Sequence, residues 1–172
     1  QPLGRATSTG KPSHCMSSLL PRTIAVDGGQ VSALLLLPDQ PRAILALAHG
    51  AGAGMRHPFM EAVSQGLARK EIATLRYQFP YMEKGLGRPD SPAVATAAVR
   101  SACELARAEF PELPLLAGGK SFGGRMTSTA QAETPLPGVR GLVFLGFPLH
   151  PPKRPGITRA EHLASVRVPM LF

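Results

Sequence analysis

The sequence predicts an α/β protein with a mostly parallel central sheet and helices on both faces. Three observations carry this expectation. Short, continuous apolar runs at 43–48, 72–77 and 139–145 alternate with stretches of helical periodicity, the pattern of strands buried on both faces and joined by crossover helices. Near the start, Asp27-Gly28-Gly29-Gln30 separates two β-branched and leucine-rich segments, 22–26 and 31–37, as a tight hairpin turn would. At the centre, Pro114-Leu115-Leu116-Ala117-Gly118-Gly119-Lys120-Ser121-Phe122-Gly123-Gly124 reads as strand, sharp turn and helix around a lone serine.

Composition sets the outer bounds. The chain has 172 residues, 44% hydrophobic and 17% charged, enough for one domain with a substantial core. Its net charge of +8 comes from basic residues scattered singly, and aromatics make up only 5%, so no nucleic-acid-binding stripe is expected and the charge reads as a solvated surface mildly favouring anionic ligands. Apolar runs are too short to span a bilayer, so no membrane partner is expected. Cys15 and Cys103 cannot build a disulfide framework, and free thiols in a reducing, cytoplasmic setting are the expectation. Residues 1–21 read as a tail or upstream extension, with the folded domain over 22–172.

Taken in order, the elements follow from local chemistry. The hairpin makes the sheet begin antiparallel. Pro38 and Pro41 then break the chain before the buried strand 43–48, which empties into His49-Gly50-Ala51-Gly52-Ala53-Gly54, a loop of small residues whose backbone can approach a ligand closely. His49, at the start of this turn, reads as a structural side chain rather than a catalytic base. Pro58 opens a helix with Phe59, Met60, Val63 and Leu67 on one face, and strand 72–77 completes a βαβ unit. The loop 78–89 gathers aromatic and basic residues at the carboxyl end of a strand, where α/β proteins place ligands, so Tyr81 is a candidate substrate contact. Asp90 or Ser91 caps a helix running to about Glu109. After the serine turn comes a helix from Gly123 toward Ala132, strand 139–145, a proline-rich loop containing His150, a short helix over 158–165, and a last strand opening at Val168.

Gly119 and Gly123 flank Ser121 at G-x-S-x-G spacing. A turn this sharp strains the serine backbone, excludes bulky neighbours, and aims the Phe122 N–H, at the positive end of the next helix, toward a developing oxyanion. Ser121 is therefore the nucleophile candidate. Two nucleotide-binding readings fail. A phosphate loop needs glycine where Pro114 stands, and a dinucleotide fingerprint starting at Gly50 meets Met55 where its last glycine belongs. No cofactor or metal is expected, and the partner is a small-molecule substrate.

With the elbow, the small-residue loop and the strand–helix alternation in place, the chain resembles the α/β-hydrolase superfamily, and within it a dienelactone-hydrolase-like group. The resemblance rests on residues 49–55, 75–81, 118–126 and 146–152 and covers about 22–172. It implies an eight-stranded, mostly parallel sheet, a Ser-Asp-His triad, and an oxyanion N–H from the loop after the first parallel strand, placed at Ala51 with Gly52 as second choice. The triad order puts the acid and histidine late in the chain. After Ser121 the carboxylates are Glu133 and Glu161 and the imidazoles His150 and His162. Glu161 and His162 are expected at the surface, and His150 near substrate. The acid and base are therefore expected beyond residue 172, with the last strands and helices of the fold also missing, and the chain as it stands is expected to be a poor enzyme. The alternative is a non-catalytic binding or scaffold module, because the resemblance extends to non-enzymatic subunits of chromatin complexes.

Overall fold

The computed structural model describes residues 16–172. Seven strands form one sheet: β1 (Ser17–Val26), β2 (Gly29–Pro38), β3 (Ala43–Ala48), β4 (Ile72–Tyr77), β5 (Leu115–Lys120), β6 (Val139–Leu145) and the two-residue β7 (Met170–Leu171). Their spatial order is β1-β2-β4-β3-β5-β6-β7. β1, β2 and β4 are joined by antiparallel pairings and every other pairing is parallel. The antiparallel start and parallel body match the sequence reading. The resemblance implied eight strands, and the described residues form seven.

The sheet begins earlier than expected. Residues 17–21, assigned above to a tail, are the first half of β1 and pair with Leu34–Pro38 of β2. A ten-residue β2 offers a ladder of backbone groups along its full length, and Leu20 packs on the core from the opposite strand. Local propensity at Ser17-Ser18 did not announce this. The rest of the expected tail lies outside the described residues. Pro21 sits in the middle of β1, a position that edge strands tolerate because the missing N–H can face away from the partner. Arg22 reaches Glu109 through Nε at 2.7 Å, tying this edge to a helix.

Among the described residues four α-helices flank the sheet: α1 (Pro58–Ala68), the single-turn α2 (Pro80–Glu83), α3 (Pro92–Glu109) and α4 (Phe122–Glu133). Pro58 and Pro92 occupy first turns, where a missing N–H costs nothing, and His57 and Ser91 side chains accept the next free amides. α2 falls inside what the sequence suggested was a loop. Strand alternation divides the core. Ile44, Ala46 and Ala48 of β3 face α3 and α4 with Ala98, Ala102, Met126 and Ala130, whereas Leu45 and Leu47 face Met60 of α1. Late in the chain, Glu161–Ser165 is a 3₁₀ turn rather than the longer helix expected. Among the described residues no helix is long and apolar enough to cross a membrane.

This topology places the site. From β3 the chain moves to β4 on one side, then crosses back to β5 on the other, so the carboxyl ends of β3 and β5 lie side by side, with Ala48 opposite Gly119. A crevice opens where the winding reverses, and ligands of α/β sheets bind there.

Candidate active site

Ser121 follows β5 at this reversal point with φ of 49° and ψ of −110°. A non-glycine residue in such backbone geometry costs on the order of 1–3 kcal/mol and persists only when its surroundings hold it. Here they do. Ser121 N–H donates to Gly146 O at 3.0 Å, and Ser121 O accepts from Arg125 N at 3.0 Å. Ser121 is also the N-cap of α4, yet its hydroxyl makes no capping bond, so the oxygen that would ordinarily satisfy the helix end remains uncommitted.

The flanking glycines are required by the neighbouring strand. A Cβ at Gly123 would lie 2.5 Å from His49 O and 2.7 Å from Ala48 Cβ, and one at Gly119 would collide with the Ala48 backbone. Their absence of side chains lets the elbow press directly onto the end of β3, bringing Ser121 beside the loop that follows. The two share a cleft of about 280 Å³ lined by Ala51, Gly52, His57, Met60, Lys120 and Ser121 among others. Among the described residues, the backbone N–H groups of Ala51, Gly52 and Phe122 donate to no protein acceptor.

The loop itself is held from behind. His49 is fully buried; its Nε2 accepts from Phe79 N–H at 3.0 Å, so the ring proton sits on Nδ1 and is donated to Gly50 O at 2.7 Å. Both nitrogens are engaged, and burial lowers the histidine pKa, so the neutral ring is the form the fold favours. This is the structural role the sequence suggested. Tyr81 is different from its expected place. It is buried, it is not part of the cleft lining, and its hydroxyl donates to Ala51 O at 2.7 Å from beneath the loop. Burial, with Asp90 second, pushes the phenol up to about 12, keeping it a donor. A tyrosine in an aromatic loop reads as a ligand contact from sequence; its packing against Phe79 and Phe122 is a tertiary outcome.

Neither His150 nor His162 lines the cleft of Ser121. His150 is exposed, its Nδ1 donating to Pro151 O at 2.9 Å, and it is absent from the cleft lining. Glu161 is at the surface as expected, but His162 is not: it is half-buried against α4 with Nε2 2.7 Å from Ser128 Oγ. The 3₁₀ turn, tighter than an α-helix, docks this side chain inward against Phe147. Two cleft residues escaped the sequence reading. His57 lines the cleft while its Nδ1 accepts the Phe59 amide, and Lys120 holds its ammonium 4.4 Å from the centre of the Phe59 ring. The available signal was His57 immediately before the helix-opening proline.

With this geometry in view, comparison with known proteins is decisive for family. The family model of the alpha/beta hydrolase domain matches residues 41–172. This chain belongs to the α/β-hydrolase family. Among solved structures it is similar to a dienelactone hydrolase from Anabaena variabilis, with 21% identity, 76% of this chain and 64% of that chain covered, and a TM-score of 0.66. It is also similar to an alpha-beta serine hydrolase homologue from Coxiella burnetii, with 17% identity, 92% and 74% coverage, and a TM-score of 0.70. A third, from Xanthomonas campestris, is an α/β serine hydrolase without a lid, at 21% identity, 74% and 60% coverage and a TM-score of 0.61. The chain spans less than two thirds of the first and third of these proteins. At these identities the likeness is one of fold, and it agrees with the dienelactone-hydrolase-like resemblance carried by the motifs.

Proposed function

We propose that this α/β-hydrolase chain carries the nucleophile and oxyanion-binding half of a serine hydrolase acting on an ester or similar carbonyl of a small molecule. The observation that carries the reading is Ser121: strained, at the carboxyl end of β5, with a hydroxyl no capping bond consumes. In the reaction Ser121 Oγ forms a bond to the carbonyl carbon while the carbonyl electron pair moves to oxygen. That oxyanion is stabilised by the N–H groups of Phe122 and Ala51, with Gly52 as the alternative donor. Collapse expels the alcohol, leaving an acyl-Ser121 ester that water hydrolyses. The hydroxyl proton needs a base. None of the described histidines hydrogen-bonds to Ser121: His49 and His162 are committed elsewhere and His57, in the same cleft, turns Nδ1 to the Phe59 amide, so the reading assigns base and acid to residues outside the described set.

Reaction with a fluorophosphonate, followed by mass mapping, tests this. Ser121 should be labelled readily in a polypeptide extended past Phe172 and slower by several orders of magnitude in residues 1–172, since losing triad partners costs on the order of 10⁴ to 10⁶ in rate. Ser121→Ala should lose the label in both. Label elsewhere, or a Ser121→Ala protein that still turns over esters, would sink the assignment. The same lack of a histidine hydrogen-bonded to Ser121 among the described residues favours one rival, a non-catalytic binding module on this fold, and that rival expects Ser121 to stay unlabelled in the extended polypeptide too.

A further inference from the structure

The proposed chemistry leaves Lys120 without a task, although it immediately precedes Ser121 and lines the same cleft. Of the residues lining that cleft, Lys120 is the one with a permanent charge, and no carboxylate faces it there. Among the described residues its ammonium forms no ion pair or hydrogen bond; its recorded contact is the Phe59 face at 4.4 Å. A cation–π contact holds an ammonium in place without neutralising it, so its field remains available to an incoming group. The geometry at His57 acts in the same sense. Because its Nδ1 accepts the Phe59 amide, the proton of the neutral ring lies on Nε2, making the free nitrogen a donor rather than a base. The rest of the lining, Ser121 with its neutral hydroxyl, four small residues and Met60, supplies no charge.

We infer that this cleft selects anionic substrates: esters whose acyl part carries a carboxylate, read by Lys120 with His57 beside it. The inference rests on the reading of Ser121 as nucleophile for its chemistry, but its binding step can be measured without turnover. Monomethyl glutarate and dimethyl glutarate differ little in shape, and one of them is an anion. Titrated into ¹⁵N-labelled Ser121→Ala protein, which has no nucleophile to consume them, they should both shift the amides of residues 50–53, with the mono-anion binding about tenfold tighter, the scale of one charge pair at a partly screened site. Lys120→Met should abolish the advantage, Lys120→Arg should keep it, and 0.5 M NaCl should shrink it. Equal binding of the two esters to the starting protein, an advantage that survives Lys120→Met, or no shift at 50–53 with either ester would each overturn the inference. A failure of fluorophosphonate labelling would instead count against Ser121 and leave this binding result standing by itself.

Discussion

Two serines on one helix, two turns apart, have opposite environments. Ser121 caps α4 at the cleft with a strained backbone, a free hydroxyl and no hydrogen bond to a described histidine. Ser128 is fully buried inside α4 with a histidine 2.7 Å away. A search for serine–histidine pairs would choose Ser128 rather than the Ser121 of the proposed chemistry. Ser128 donates its proton to Arg125 O at 3.0 Å, so His162 Nε2 must be the donor to Ser128 Oγ and has no lone pair to offer as base. What favours Ser121 in the proposed reading is access, backbone placement and adjacent N–H groups, not a neighbouring imidazole.

The largest way to disturb this contrast is at the elbow. Gly123→Ala drives a methyl group into His49 O and Ala48, and should cost about 3 kcal/mol or more in urea unfolding while abolishing Ser121 labelling. A variant of unchanged stability and labelling would show that the close approach to β3 is not what positions Ser121. Next is acidity. Burial lowers the pKa of His49, and burial with Arg125 lowers that of His162, so in both cases the folded protein binds fewer protons than the unfolded chain just below the ordinary value of 6.5. Stability therefore rises with pH through that window and is lost as pH falls below about 6.5, with His49 the larger contributor because its ring is fully buried. Urea midpoints at pH 7.5 and 5.5 should show the decline, and His49→Gln should flatten it more than His162→Gln. The reverse order would assign the effect to the Ser128 side of the helix.

Removing one hydroxyl sharpens the picture further. Tyr81→Phe loses the bond to Ala51 O and should destabilise by about 1 kcal/mol, with a labelling rate at Ser121 reduced roughly tenfold because the loop is no longer fixed from behind. An unchanged rate would mean that the loop holds its shape through His49 alone. Smallest is Ser128→Ala, expected to cost about 1 kcal/mol and to leave labelling as it was. Loss of labelling there would revive Ser128 as part of the chemistry.

Much of this was legible in the sequence, and the division follows physical range. The hairpin, the buried strands, the proline-started helices and the strained serine are properties of contiguous residues, and the family motifs lie within them. What escaped depends on residues distant in the chain: residues 17–21 pair because β2 is long, Tyr81 turns inward because Phe79 and Phe122 pack around it, and His162 docks because Ser128 lies opposite. His57 and Lys120 are read as cleft residues only once β3 and β5 are known to be neighbours.

Pro21 bears on how copies of this protein behave at high concentration. Among the described residues β1 is an edge strand, and ten residues along such an edge would normally present an unbroken comb of amides on which another polypeptide could lay itself down. With proline at its midpoint the comb lacks a tooth, and no run of donors on either side is long enough to hold a foreign strand in register. Restoring that tooth, as in Pro21→Thr, would turn the longest edge of the sheet into a template for filament growth.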